Sequence, residues 1–200
     1  NTLLSKYGRV NVLKIAQEHC YHNNNKKYIN KIKNKYYNID YLCALTTTLE
    51  ADYKKFLKYN LHTKVVLLPN MLFTLPAKKS KLDTKNFITI SRLDSGKKVD
   101  EIIENFAKID SKDSKLFIIG SGKEEEKLKK LIADLNLSKN VKMLGYLDHK
   151  QMEKYLLDSS CFLMASVTEG LPMVLLEAMS YGIPCIVYKT ASGTGDIVSN

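Results

Sequence analysis

From residue 85 onward, short apolar runs alternate with longer segments whose apolar residues recur at helical spacing. The runs have strand length and predict strands at Phe87–Ser91, Leu116–Ile119, Val141–Leu144, Cys161–Ala165 and Pro184–Tyr188. The segments between them predict helices at Asp100–Ile109, Glu124–Leu135, His149–Leu157 and Pro172–Tyr181. Strict alternation of this kind predicts an α/β, Rossmann-like parallel sheet with helices on both faces.

The first part of the chain is less regular and predicts part of a second α/β domain. Strands are expected at Val10–Gln17, Ile39–Thr46 and Lys64–Leu68, and a helix at Leu49–Tyr59 with Thr48 as its N-cap. The stretch Met71–Thr84 contains Pro76 and three lysines and is expected to be a linker. We therefore predict two domains, residues 1–79 including the linker and residues 80–200.

Charge separates the same two regions. The net charge is +10, and residues 1–79 carry 14 Lys or Arg against 4 Asp or Glu, whereas residues 80–200 carry 17 of each. The excess fits a solvated lysine-rich surface, a face for an anionic membrane or acceptor, or a nucleic-acid site. Nucleic acid is not expected as a partner, because the tyrosines in this region form no known binding motif.

Several classes of protein are excluded by what the sequence lacks. No apolar run approaches 18 residues, and the first residues have no signal-peptide pattern, so a cytoplasmic protein is expected, with contact at the inner membrane face as an option. The four cysteines form no CxxC pair, and neither a metal site nor a disulfide framework is predicted.

In a parallel sheet, the loops after the strands carry the chemistry, because ligands bind beyond the carboxyl ends of the strands. The first of these loops, SRLDSGKKVD, offers Arg92, Lys97 and Lys98 as contacts to a diphosphate. The second, Gly120–Gly122, is weak evidence by itself, because three carboxylates follow where a dinucleotide fingerprint needs its third glycine.

The loop and helix SVTEGLPMVLLEAM combine two carboxylates with a helix start. Pro172 suits the first helical turn, which places Glu169 in the loop and Glu177 inside the helix. The unpaired N–H groups of a helix start attract anions. Glu177 lies on an otherwise apolar helix, where Met173, Leu176 and Met179 are expected to face the core, and it needs hydrogen-bond donors such as ribose hydroxyls.

Four segments in this order resemble glycosyltransferase family 4, whose members are retaining enzymes of the GT-B fold. They read SRLDSGKKVD, LFIIGSGKEEEKLKKL, NVKMLGYL and EGLPMVLLEAMSYGIPCIVY, and the resemblance covers about Asn86–Val198. It implies that Arg92 and Lys97 hold the donor diphosphate and that Glu177 binds the ribose hydroxyls. It also implies that Gly120 lets the nucleotide lie against the sheet edge and that the loop around Tyr146 borders the base.

The resemblance also implies the catalytic groups. Glu169 would bind hydroxyls of the transferred sugar near the reacting carbon, and the N–H groups of Gly170 and Leu171 would touch the phosphates or the sugar. The segment KIAQEHCYHNNN is similar to the acceptor-domain strand and loop that carry an active-site histidine, for which His19 is preferred to His22. Lys98 stands where the family often has Gly, so either Lys97 or Lys98 could be the phosphate contact.

The sequence therefore predicts a metal-independent retaining glycosyltransferase without cofactor. The implied donor is a nucleotide-diphosphate sugar, with UDP as the family's usual nucleotide, and the implied acceptor is a cell-surface glycan or a lipid-linked molecule. We expect the chain to be a piece that lacks the family's final helices. The alternatives are a nucleotide-binding fragment without turnover, a basic protein that binds membrane or nucleic acid, and a sugar-nucleotide epimerase.

Overall fold

The structure is a computed structural model and describes residues 1–9, 11–109, 113–190 and 193–198. Its contacts divide the chain into two compact units. The first comprises Asn1–Met71, Thr168–Pro172 and Lys189–Asn200, and the second comprises Leu72–Val167 and Met173–Tyr188. Two segments late in the sequence therefore belong with the first unit, which sequence order did not suggest.

The helices and strands follow one another in regular alternation. In chain order they are α1 (Thr2–Tyr7), β1 (Ile15–Gln17), α2 (Lys26–Lys35), β2 (Tyr41–Ala44), α3 (Thr47–Phe56), β3 (Lys64–Leu67), β4 (Asn86–Ile90), α4 (Val99–Phe106), β5 (Lys115–Ile119), α5 (Glu125–Asp134), β6 (Val141–Met143), α6 (His149–Leu157), β7 (Cys161–Met164), α7 (Met173–Ser180), β8 (Cys185–Val187) and α8 (Thr194–Ile197). A short 3₁₀ helix, Ser95–Lys97, precedes α4. No helix in the described ranges is both long and apolar enough to span a bilayer.

The first unit contains a three-stranded parallel sheet in the order β1-β2-β3. Its core packs α2 and α3 against the sheet through fully buried Ile32, Tyr36, Leu42, Leu49 and Tyr53. The apolar residues at the end of α2 lie four apart, at Ile32 and Tyr36, so one helix face enters the core and the other remains in solvent.

The first unit differs from the sequence predictions at α2, α3 and β1. The helix α2 was not predicted, because its apolar face is narrow and ten residues carry five lysines and no acid. The helix α3 begins at Thr47 rather than Leu49, and the side chain of Thr46, not Thr48, caps it by accepting from Leu49 N–H at 3.2 Å. Part of the expected strand Val10–Gln17 falls on Val10, outside the described residues; the observed strand begins at Ile15.

The second unit contains a five-stranded parallel sheet in the order β6-β5-β4-β7-β8. Strands β4 and β5 are almost wholly buried, as the predicted apolar runs require for a sheet covered on both faces. The strand order reverses between β4 and β7, and open sheets of this type bind ligands at such a reversal. The predicted Rossmann-like α/β fold is confirmed.

The orientation of α7 and the extent of the linker differ from expectation. Helix α7 begins at Met173 and buries Leu175 and Ala178, whereas Met179 is exposed, so the predicted core face was wrong. Ser80 donates its N–H to the carbonyl of Tyr181 and its hydroxyl to that of Ser159, at 2.9 and 2.7 Å. The end of the expected linker is thus part of the second unit.

Candidate functional site

A cavity of about 300 Å³ opens at the carboxyl ends of β4 and β5 in the second unit. Its walls come from the loops after β4, β5 and β6 and from the helices α6 and α7. The lining residues are Ile90, Ser91, Arg92, Ile119, Gly120, Ser121, Tyr146, Leu147, His149, Met152, Val174 and Glu177. Four residues predicted to bind the donor, Arg92, Gly120, Tyr146 and Glu177, therefore surround one space.

Backbone hydrogen bonds hold the three loops of this cavity together. Leu93 N–H donates to the carbonyl of Ser121, and Gly120 N–H donates to that of Gly145, both at 2.8 Å. A Cβ at Gly120 would lie 1.8 Å from the Ser91 carbonyl oxygen, and its φ of +135° is unfavourable for other residues. Gly120 is thus required where two loops meet, whether or not a ligand is bound.

Glu177 presents a partly desolvated carboxylate to the cavity. Its side chain is 20% exposed, and burial raises its pKa, an effect that His149 opposes. The ring nitrogen Nδ1 of His149 lies 4.0 Å from Glu177 Oε1, on a side chain that is itself exposed. A partly buried carboxylate is stabilised when a ligand donates hydrogen bonds to it, as a pair of vicinal hydroxyls can.

Arg92 and Ser91 line the same cavity, and their side chains differ in exposure. The Arg92 side chain is 81% exposed and its guanidinium lies 3.2 Å from Asp94, so it can exchange that partner for an anionic ligand. The Oγ of Ser91 is buried and has no hydrogen-bond partner in the described part of the protein. A buried hydroxyl without a partner costs free energy in the folded protein.

The lysines predicted to contact the diphosphate do not line the cavity. Lys97 ends the short 3₁₀ helix, whereas Lys98 has a left-handed backbone with φ of +53°. The Nζ of Lys98 lies 2.9 Å from Glu101. The ammonium group of Lys98 therefore has an acidic partner, and the choice between Lys97 and Lys98 as the phosphate contact stays a prediction.

The remaining predicted residues lie in the first unit, around the loop 168–172. A Cβ at Gly170 would lie 2.2 Å from the carbonyl oxygen of His19, so the loop passes directly against the segment after β1. On its other side, a Cβ at Gly193 would lie 2.9 Å from Glu169 Cβ and 3.0 Å from the Gly170 carbonyl oxygen. Leu171 packs against the core of this unit. The structure thus brings His19, Glu169, Gly170 and Leu171 together.

His19 and His22, the two histidines considered for the active site, differ in their surroundings. His19 is exposed. His22 is buried, with Nε2 2.7 Å from Asp52 and Nδ1 accepting from Asn24 N–H at 3.1 Å. Both ring nitrogens of His22 are thus engaged within the protein, whereas the side chain of His19 is exposed to solvent.

The sequence model of the family described as glycosyl transferases group 1 matches residues 73–200. The chain belongs to this family. The match covers more than half of the chain and includes the whole cavity of the second unit. The matched range thus includes all of the second unit except its first residue.

Individual glycosyltransferases resemble the chain over more than half of its length. An uncharacterized glycosyltransferase of Haemophilus influenzae is 27% identical over 194 residues, which are 96% of this chain and 54% of that protein. A lipopolysaccharide 1,6-galactosyltransferase of Escherichia coli is 30% identical over 120 residues, 58% of this chain and 33% of that protein. The chain spans about half, or less, of the length of these relatives.

A solved structure matches both sheets. A mutant of TarM from S. aureus, in complex with fondaparinux, α-GlcNAc-glycerol and UDP, has a TM-score of 0.77 and 25% identity. The match covers 96% of this chain and 40% of that chain.

Sequence reasoning missed three residues of this group 1 protein that the structure places beside predicted ones. Ser91 and His149 line the cavity with Glu177, and the backbone of Gly193 lies directly against Glu169. Ser91 was detectable as the last polar residue before Arg92 at a strand end. The other two depend on contacts between segments distant in sequence.

Among the described residues, no three His, Cys, Asp or Glu side chains are grouped as metal ligands would be.

Proposed function

We propose that the protein transfers a sugar from a nucleotide-diphosphate sugar to a glycan or lipid-linked acceptor of the cell envelope. The observation that carries the proposal is the cavity at the strand-order reversal, where Arg92, Gly120, Tyr146 and Glu177 meet. Family membership supports the reaction class. The UDP in the TarM complex supports UDP as the nucleotide, and the lipopolysaccharide galactosyltransferase supports an envelope acceptor.

In this proposal the cavity residues bind the nucleotide part of the donor. The Glu177 carboxylate accepts hydrogen bonds from the ribose hydroxyls, which compensate it for the water lost through burial. Tyr146 borders the base. Arg92 leaves Asp94 to pair with the diphosphate, because a bidentate pair with a doubly charged group is stronger than an exposed ion pair.

The catalytic contribution is electrostatic stabilisation of the leaving diphosphate. Arg92, Lys97 and the N–H groups of Gly170 and Leu171 offset its charge, and no metal or cofactor is part of the proposal. Glu169 binds hydroxyls of the transferred sugar, and His19 contacts the reacting region. The acceptor attacks the face from which the diphosphate leaves, so the anomeric configuration is retained, as in glycosyltransferase family 4. We place the reaction in the cytoplasm, at the inner face of the membrane.

Donor binding is tested by calorimetry on the full-length protein with UDP and a panel of UDP-, GDP- and ADP-sugars. We expect binding of UDP and of one UDP-sugar, and a loss of tenfold or more with Arg92→Ala or Glu177→Ala. Lys123→Ala is the matched control, because Lys123 is exposed in the loop after Gly122 and does not line the cavity. Equal affinity in all four proteins would refute the donor site.

Turnover is tested separately by sugar transfer to envelope acceptors, with and without a chelator. Glu169→Ala and Arg92→Ala should each reduce transfer by orders of magnitude, and chelation should leave it unchanged. Near-normal transfer by both variants would remove these assignments. UDP binding with no transfer by the full-length protein would instead indicate a nucleotide-binding protein.

A further inference from the structure

One surface of the first unit concentrates the basic charge of the protein. It is formed by α2 and by the segment Lys55–His62, which line two neighbouring depressions that share Asn34. We call it the lysine face and define it by six lysines, namely Lys27, Lys31, Lys33, Lys35, Lys55 and Lys58. All six are exposed.

Acidic side chains do little to neutralise this face. Neither depression has an Asp or Glu among its described lining residues. Within the described ranges, none of the six lysines forms an ion pair, although Lys54 beside them is paired with Glu50. Lys31 lies near enough to Glu18 to help lower the pKa of that carboxyl, which offsets part of the charge of Lys31. The face therefore keeps most of its positive charge.

Three of the lysines lie over aromatic rings. The Nζ atoms are 5.8 Å from the ring centre of Tyr28 for Lys31, 5.7 Å from that of Phe56 for Lys33 and 4.5 Å from that of Tyr59 for Lys58. Such contacts orient an ammonium group without cancelling its charge. The charges remain available to an anionic partner.

Large apolar side chains stand out among the lysines. Leu61 is 98% exposed, Tyr59 is 85% exposed and Tyr37 is 57% exposed, and all three line the same depression. An exposed leucine does not contribute to binding of a small soluble anion. A bilayer surface contacts both groups, because lysines bind the anionic headgroups while tyrosine and leucine insert into the interface.

The face is held in shape from beneath. Ile32 and Tyr36 anchor α2 in the core, and Asn25 caps its first turn by accepting from Tyr28 N–H at 3.1 Å. The Nδ2 of Asn60 donates to the carbonyl of Tyr36 at 3.2 Å, which ties the segment 55–62 to the end of α2. The charges are therefore arranged on a fixed surface before any partner arrives.

We infer that the lysine face docks the protein on an anionic lipid bilayer. The inference rests on the proposed function in that it supplies the membrane contact for an enzyme with a lipid-linked or envelope acceptor. In the described structure the face has six lysines without ion pairs and three exposed large side chains with apolar surface. Positive charge attracts anionic headgroups, and apolar side chains insert between them, so this combination fits a bilayer surface.

The test is co-sedimentation of the full-length protein with vesicles of phosphatidylcholine alone and of phosphatidylcholine mixed with phosphatidylglycerol. We expect binding only to the anionic vesicles, weakening severalfold as salt rises. The variant Lys27→Glu/Lys33→Glu/Lys55→Glu should lose binding at least tenfold. The control Lys123→Glu/Lys130→Glu/Lys142→Glu has the same net charge, reverses exposed lysines of the second unit and should bind almost normally.

Further arms separate the possible occupants. Tyr59→Ser/Leu61→Ser should weaken the binding that survives high salt, which a purely ionic site would not show. Equal loss in both triple variants would overturn the inference, since net charge alone would then explain binding. Preferential, lysine-face-dependent binding of a single-stranded oligonucleotide would also overturn it. UDP affinity, measured on the same proteins, should be unchanged, so that failure of docking is distinguished from failure of the proposed donor site.

Discussion

At the scale of single residues, the second unit places a carboxylate where folding alone does not favour it. Burial raises the pKa of Glu177, and the exposed His149 opposes this shift only from 4.0 Å. Binding residues often carry such a cost because the ligand, rather than the protein, satisfies them. Glu177 should therefore reduce stability in the empty protein and contribute to affinity when a ligand is bound.

The substitution Glu177→Gln should separate these two effects. Because the pKa is higher in the folded than in the unfolded protein, the folded state binds more protons between the two values. Stability should thus fall as pH rises from the ordinary carboxyl pKa through the raised one, and remain lower at neutral pH. The variant should melt at a higher temperature than the parent near pH 7 and similarly at about pH 4 or below, as measured by calorimetry, and its affinity for UDP should fall at least tenfold. A lower melting temperature at neutral pH would contradict this account.

Gly170 is the residue whose replacement should most disturb the loop that carries Glu169. An alanine methyl would lie 2.2 Å from the His19 carbonyl oxygen, so the backbone must move, at a cost of about 1–3 kcal/mol. We expect Gly170→Ala to lower the free energy of unfolding in urea by that amount and to reduce sugar transfer.

Gly96→Ala is the matched control for that substitution. Its added methyl would find Asp94 Oδ1 at 3.4 Å as its nearest neighbour, and the φ of Gly96 is not in the left-handed region. It should unfold nearly as the parent does. Equal free energies of unfolding for both variants would show that the loop 168–172 can move to accommodate the methyl group without loss of stability.

At the scale of elements, α2 shows how a helix can form without a wide apolar stripe. Only one face is buried, and most of the remaining positions are lysine and asparagine. Its stability depends on tertiary packing of that face and on its N-cap, because the sequence offers no acidic residue to its first turn. The same feature leaves a basic face in solvent.

Removing the cap of α2 should measure that dependence. Asn25→Ala removes the acceptor for Tyr28 N–H and should cost about 1 kcal/mol of unfolding free energy. Asn30→Ala, within the same helix and exposed, should be neutral or slightly stabilising, since alanine is the better helix former. Urea denaturation of both variants provides the comparison, and equal destabilisation would argue against a capping role for Asn25.

At the scale of the whole molecule, the two units have separate cores and different charge. The first unit packs around Leu42, Leu49 and Tyr53, and the second around Ile103, Leu116 and Ile118. The net positive charge belongs to residues 1–79, whereas the cavity proposed for the nucleotide belongs to the second unit. An anionic ligand attracted only by the net positive charge would therefore bind to residues 1–79, whereas a ligand of the cavity would bind to the second unit.

Hydrogen exchange with and without UDP should show which segments respond. We expect slower amide exchange at 90–92, 119–121, 146–152 and 174–177, because these residues line the cavity or lie between residues that do. The segments 26–35 and 55–62 should change little. Protection confined to the latter two would mean that UDP is attracted by the lysine face, and the proposed donor site would be wrong.

The sequence by itself determined the alternation of strands and helices after residue 85 and the loops and helix in which Arg92, Gly120, Tyr146 and Glu177 stand. Period and turn residues are local properties, and strand ends in a parallel sheet share one edge. Only the tertiary structure decided that Leu175 and Ala178 form the buried face of α7, that α2 is a helix, and that residues 168–172 pack beside His19. Each of these depends on contacts between residues far apart in the chain, whose free energy outweighs local propensity.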